Sequence, residues 1–152
     1  MLQALDALQS SLFTSLWKDE RMSAKAHLIF CCGCGRARTV KLVTGEAIYP
    51  KRRDLYENHY WQCSCGLYVG CHPNTIKPLG IIPTAELRKA RSFIHAVLDP
   101  PWRSGRITRN ALYALLSAKL GYPYHTAEIR SIAEAREVYR AAREVVATLS
   151  LK

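Results

Sequence analysis

Leucines recur at helical spacing near the start of the chain, at Leu5, Leu8, Leu12 and Leu16, with Trp17 close behind. A stripe at i, i+3 and i+4 marks one apolar face, so a helix is predicted over residues 2–18. Lys and Arg are nearly absent from that stretch, which argues against a membrane-surface role and for a core, docking or dimerisation face. Residues 19–26 (DERMSAKA) form a charged connector. The pattern then changes period. Residues 39–43 predict a strand, Thr44-Gly45-Glu46 its turn, and residues 47–49 a return strand stopped by Pro50. Residues 60–62 and 67–69 are two further short β pieces. Pro73, Pro78, Gly80 and Pro83 punctuate an irregular stretch. From there the chain is helical. Thr84 caps a helix expected to reach about Leu98 and to end at Asp99-Pro100-Pro101. Thr108 caps a second, running to Leu120 and closed by Gly121. Ser131 and Glu134 form a capping box for a third, reaching about Leu149.

Two cysteine knuckles interrupt the β region, Cys31-Cys32-Gly33-Cys34-Gly35 and Cys63-Ser64-Cys65-Gly66. Cys31, Cys34, Cys63 and Cys65 offer four thiolates to one tetrahedral Zn²⁺. The glycine after each knuckle suits a tight turn that needs positive φ. The 28 residues between Cys34 and Cys63 leave room for a hairpin, which is the layout of a zinc ribbon. The second knuckle is one residue short of C-x-x-C, and Cys32, Cys71 and His72 stand as alternates for the fourth position. Four sulfurs close the coordination shell, so the zinc is expected to be structural. Disulfides are disfavoured, because cysteines adjacent or one apart rarely bridge each other and no secretory signal is evident. The fold class is therefore α+β. A small zinc-ribbon-like β unit over about residues 30–72 packs with an N-terminal helix and three C-terminal helices. Residues 27–152 are expected to form one compact domain, after the helix and connector of residues 1–26.

Charge narrows the partners. Lys and Arg number 22 against 12 acidic residues, a formal net charge of +10. A surplus that large on a small chain favours a polyanion, with nucleic acid first. No apolar run approaches a membrane span, and a cytoplasmic setting is expected.

The first C-terminal helix carries an unusual polar face. Arg88, Arg91, His95 and Asp99 stand at i, i+3, i+7 and i+11, opposite the apolar stripe Leu87, Ala90, Ile94 and Val97. Guanidiniums grip phosphate oxygens in a fork, and a His–Asp pair moves protons. Arg52 and Arg53 add cations in a loop beside the ribbon. His72 adds an imidazole just beyond the second knuckle. Tyr49, Tyr56, Tyr60, Trp61 and Tyr68 bring rings close to this charge, either to stack on bases or to fill a small β core. No P-loop, dinucleotide fingerprint, nucleophile elbow or RNA-binding sheet signature is present, and carboxylates for a two-metal nuclease are not evident.

Several of these segments occur together in a known pattern. Cys31-x-x-Cys34 is followed by IYPKRRDLYENHYWQC, CGLYVGCHPNTIKPLG and ELRKARSFIHAVLDPPW. Over roughly residues 30–145 the chain resembles an uncharacterised family of small zinc-finger-containing proteins found mainly in bacteriophages and prophages. The resemblance implies a zinc-binding domain, a phage or prophage origin and a bacterial host cytoplasm. It implies no activity. The short second knuckle departs from the family's pattern, and residues 2–18 lie outside the resemblance.

Three functions follow as expectations. The first is a non-catalytic, zinc-stabilised nucleic-acid-binding protein that contacts anions through Arg52, Arg53, Arg88, Arg91 and His95. The second is an inhibitor of a host protein such as a defence effector or RNA polymerase, docking through the N-terminal helix, which also offers a homodimer contact. The third is a nuclease or phosphodiesterase using His95, His72 and Asp99 with the neighbouring arginines.

Overall fold

In a computed structural model of the chain, residues 27–150 are described. The helix expected over residues 2–18 and the connector of residues 19–26 lie outside the described residues.

Four strands form one antiparallel sheet in sequence order: β1 (His27–Cys31), β2 (Arg36–Thr44), β3 (His59–Gln62) and β4 (Tyr68–Gly70). Residues 27–30, with no element predicted, thus begin the sheet. That order has a consequence for the knuckles. The first knuckle is the turn joining β1 to β2, and the second joins β3 to β4. In an antiparallel sheet, β1 and β3 run the same way, so both turns fall at the same end. Leu42, Trp61 and Val69 lie across from one another in register. Trp61 and Val69 join Ile29, Val40 and Ile82 in the ribbon's own small core. The Trp61 indole also donates to the Ile76 carbonyl at 2.7 Å, and His27 stacks on its ring at 4.8 Å.

The return strand expected over residues 47–49 does not form. Those residues lie in and just after a one-turn helix, α1 (Gly45–Ile48). β2 pairs instead with β3, Thr44 opposite His59. The Gly45 N–H is drawn to the carbonyls of Asn58 and Tyr56, at 2.8 and 3.2 Å. This closes the connection at its base and turns the chain out of the sheet.

Three long helices follow: α2 (Ala85–Arg103), α3 (Arg109–Leu120) and α4 (Ile132–Leu149). Their caps are the residues expected. Thr84 accepts from Leu87 N–H, Thr108 from Ala111 N–H and Ser131 from Glu134 N–H. Gly121 closes α3 in the left-handed conformation. The expected stop at Asp99-Pro100-Pro101 is corrected, since α2 runs on to Arg103 with both prolines inside its last turns. Two ladder bonds are lost there. The extension buries Pro101, packs Trp102 against the helical core and lets the Trp102 indole donate to Asp99 at 3.2 Å. Leu87, Ile94, Leu98, Leu112, Leu116, Val138 and Ala142 form that core.

The segment at Ile81-Ile82 joins the two cores. Ile82 is fully buried and bridges to Cys31, with its N–H on the Phe30 carbonyl and its carbonyl taking the Cys32 N–H, both at 2.9 Å. Ile81 reaches the Ala127 carbonyl from its N–H. The ribbon is thereby held against the start of α2 and the loop before α4. No helix among the described residues is long and apolar enough to cross a membrane.

Candidate metal centre and adjoining cleft

At the shared end of the sheet the two knuckles face each other. The first is closed by Gly35 N–H on the Cys31 carbonyl at 2.8 Å, the second by Gly66 N–H on the Cys63 carbonyl at 2.9 Å. Gly35 and Gly66 take φ of 67° and 92°, the left-handed turns expected of them. The short second knuckle still delivers both of its sulfurs. Cys31 Sγ lies 3.6 Å from Cys65 Sγ, and Cys34 Sγ 3.8 Å from Cys63 Sγ. All four sulfurs lie within 4.8 Å of one another. A tetrahedral Zn²⁺ at about 2.3 Å from each sulfur needs S···S separations of about 3.8 Å, so donor type, number and spacing all fit zinc.

Proton chemistry agrees. The Cys65 thiol, with desolvation behind it, pushes the Cys34 thiol up to about 12. Burial raises the Cys31 thiol. For Cys63 burial acts upward too, but the Cys65 N–H and the three neighbouring thiols outweigh it and bring it down to about 6. Sulfurs packed this closely cannot all ionise unaided, and a divalent cation resolves the conflict by replacing their protons. Cys31, Cys34, Cys63 and Cys65 hold a structural zinc. The alternates lie elsewhere: Cys32 packs against the helical core, Cys71 against the ribbon core, and His72 is exposed.

On the side where α2 meets β4, a cleft of about 770 Å³ opens between ribbon and helices. His72, Arg88, Arg91 and His95 line it, four residues flagged by residue type and spacing. Arg109, Tyr113 and His125 line it too, from α3 and the loop before α4. Sequence reasoning singled out no chemistry for these three. The lining includes no Asp or Glu. Tyr49, Tyr60 and Tyr68 form one wall, ring centroids 5.7–5.8 Å apart in edge-to-face pairs. They sit outside the ribbon's core, so they do not fill it. Burial, with the hydrogen bond to the Tyr68 hydroxyl next, lifts the Tyr49 phenol to about 12 and keeps it neutral.

The cations of the cleft differ in how they are held. Arg88 donates to both the hydroxyl and the carbonyl of Tyr68, each at 2.9 Å. Arg91 donates to the Ile129 carbonyl at 2.7 Å, while its buried Nε has no hydrogen-bond partner. Burial works against its charge. Arg109 leans over the rings of Tyr113 and Trp102. His95 Nδ1 lies 3.2 Å from Asp99 Oδ1, and Arg103 pairs with the other Asp99 oxygen at 3.0 Å. Asp99 thus orients His95 without itself lining the cleft. Arg52 and Arg53 are exposed and do not line the cleft, with Arg52 in a fork to Asp54 at 2.6 and 2.8 Å. Tyr56 is tied to the Pro50 carbonyl.

The chain matches no curated protein and no solved structure. Residues 27–146 match a family described as a zinc-finger-containing domain, a span that takes in all four zinc ligands and every lining residue of the cleft. With most of its length covered and the tetrathiolate in place, the chain belongs to this zinc-finger-containing family.

Proposed function

We propose that this zinc-stabilised protein binds nucleic acid through the basic cleft and the positive surface around it. One observation carries the reading: arginines and histidines line a concave cleft that has no carboxylate of its own. Arg91 sharpens it. A half-buried guanidinium with an unpartnered Nε, and no carboxylate paired with it among the described residues, is suited to an anionic ligand. The net charge of +10 supplies the long-range attraction to a polyanion. In this reading residues 27–152 act as one domain, residues 2–18 serve docking or dimerisation, and the protein works in the cytoplasm of a phage host.

The test is a fluorescence-anisotropy titration of the full, zinc-loaded chain against labelled single- and double-stranded DNA and RNA at two salt concentrations. Binding should weaken steeply with salt, as phosphate contacts release counterions. The double variant Arg91→Ala/Arg109→Ala should bind at least about tenfold more weakly and show a shallower salt slope, by roughly 0.7 per lost phosphate contact on a single strand. Failure to bind any nucleic acid at low salt overturns the reading and turns attention to a host protein partner.

The His95–Asp99 pair favours a second reading, phosphodiester cleavage. Incubating the same complexes and resolving them on a gel tests it. Cleavage that disappears in His95→Ala would establish it, and intact strands would exclude it for those substrates.

A further inference from the structure

The hydrogen-bonding roles inside the cleft are unequal, and the inequality bears on which nucleic acid fits. Arginines only donate. His125 Nδ1 accepts the Ala127 N–H at 3.2 Å, which puts the ring proton of neutral His125 on Nε2 and makes that atom a donor as well. His95 is set the other way. Its Nδ1 faces Asp99 Oδ1, an oxygen that also takes the Trp102 N–H, while Arg103 holds the second oxygen. An ionised carboxylate with those partners has no proton to give, so His95 Nδ1 carries the hydrogen. In the neutral ring Nε2 then bears the lone pair and is left to a ligand.

The hydroxyls and Asn110 of the cleft can both donate and accept, whereas His95 Nε2 is the one ring nitrogen there that its partners fix as an acceptor. Phosphate satisfies the donors but has no hydrogen for His95 Nε2. A ribose 2′-hydroxyl does, and deoxyribose lacks it. Shape narrows the choice further. Reading base edges in the major groove of a DNA duplex takes a protruding helix or β-ribbon. This site is concave, within the roughly 300–1,000 Å³ range of small-ligand pockets, and walled by tyrosine rings that can stack on a base. From this geometry we infer that the cleft holds one unpaired ribonucleotide of an RNA strand. Its phosphate sits among Arg91, Arg109 and His125, its base lies against the tyrosine wall, and its 2′-hydroxyl donates to His95 Nε2. This rests on the nucleic-acid-binding reading and adds the class of nucleic acid to it.

The experiment measures the affinity of the full zinc-loaded chain for one short sequence made as single-stranded RNA, DNA and 2′-fluoro RNA, and as duplex RNA. Single-stranded RNA should bind about threefold to tenfold more tightly than DNA, the size of one neutral hydrogen bond. The 2′-fluoro strand, which has no hydrogen at that position, should fall to the DNA level, and the duplex should bind more weakly than the single strand. In His95→Ala, with zinc content and circular dichroism matching the parent, the RNA-to-DNA affinity ratio should fall to about one. Equal affinity for RNA and DNA, or a 2′-fluoro strand that binds like RNA, overturns this inference while leaving nucleic-acid binding standing. No binding to any strand overturns both. A free ribonucleoside monophosphate should compete weakly and better than its deoxy form. If it binds more tightly than the strand, the ligand is a nucleotide and the assignment to RNA fails.

Discussion

The Arg88 guanidinium holds Tyr68 by its ring, its hydroxyl and its backbone. The guanidinium carbon is 4.3 Å from the ring centroid, one terminal nitrogen donates to the phenol oxygen and the other to the same residue's carbonyl. One side chain of α2 thus grips one residue of β4 at three points, and the ribbon is tied to the helices at the rim of the cleft.

Arg88→Ala should destabilise the zinc-loaded protein by about 2–4 kcal/mol, and Tyr68→Phe by about 1 kcal/mol, in urea unfolding. Arg88→Lys should recover little, because an ammonium cannot span hydroxyl and carbonyl with a planar fork. A lysine variant as stable as the parent would show that charge alone holds the joint.

Replacing a zinc ligand should be more severe. Cys63→Ser is expected to lower the bound metal well below the roughly one zinc per chain of a closed tetrathiolate site, and to melt the ribbon ahead of the helices. Metal analysis and circular dichroism read the two effects. Retention of zinc by Cys63→Ser would require another ligand in its place.

Zinc affinity should climb with pH. Cys34, with its thiol pushed up to about 12, and Cys31, also raised, hold protons at neutral pH, and the metal must displace them. Lower pH therefore weakens binding and higher pH strengthens it. Competition against a chelator between pH 6 and 8, together with proton release measured on zinc addition, checks the sign.

Gly45→Ala should be poorly tolerated. A Cβ on that residue would fall 1.6 Å from the Leu55 carbonyl oxygen, against backbone that has little freedom to withdraw. A loss of about 2–4 kcal/mol is expected in thermal or urea unfolding. An unchanged midpoint would mean that the connection between β2 and β3 rearranges freely.

The helical core offers a calibrated pair. Leu98→Ala, at a fully buried position, should lose about 2–5 kcal/mol through burial and cavity effects. Thr84→Ala should lose about 1 kcal/mol by removing the acceptor for Leu87 N–H. Similar losses from both variants would contradict the burial of Leu98 in the helical core.

Local chemistry was legible in the chain wherever neighbours in sequence do the work. The four zinc cysteines, the glycines that turn each knuckle, and the caps Thr84, Thr108 and Ser131 all act over a few residues. The Arg88–Arg91–His95 face was legible too, because helical spacing alone puts those side chains in one row. Where neighbours in space decide, the pattern misled. Residues 47–49 follow a turn signal as a return strand would, yet β2 is already paired with β3. Pro100 and Pro101 signal a helix end, yet Trp102 and Pro101 gain burial by continuing the helix.

What the sequence by itself determined is the set of groups that need company: four thiols needing a cation, apolar helix faces needing a core, and a row of cations ending in a single carboxylate. Which groups would meet was left to the tertiary structure. The knuckles meet because strand order places both turns at one end of the sheet. His125, Arg109 and Tyr113 reach the cleft because the helical core folds α3 and the loop before α4 back toward the ribbon. His95 is oriented through Asp99, which Trp102 and Arg103 hold in turn in the extended last turns of α2. Spacing encodes contacts within an element, whereas contacts between elements depend on loop closure and on the burial shared among distant side chains, which no short window of sequence contains.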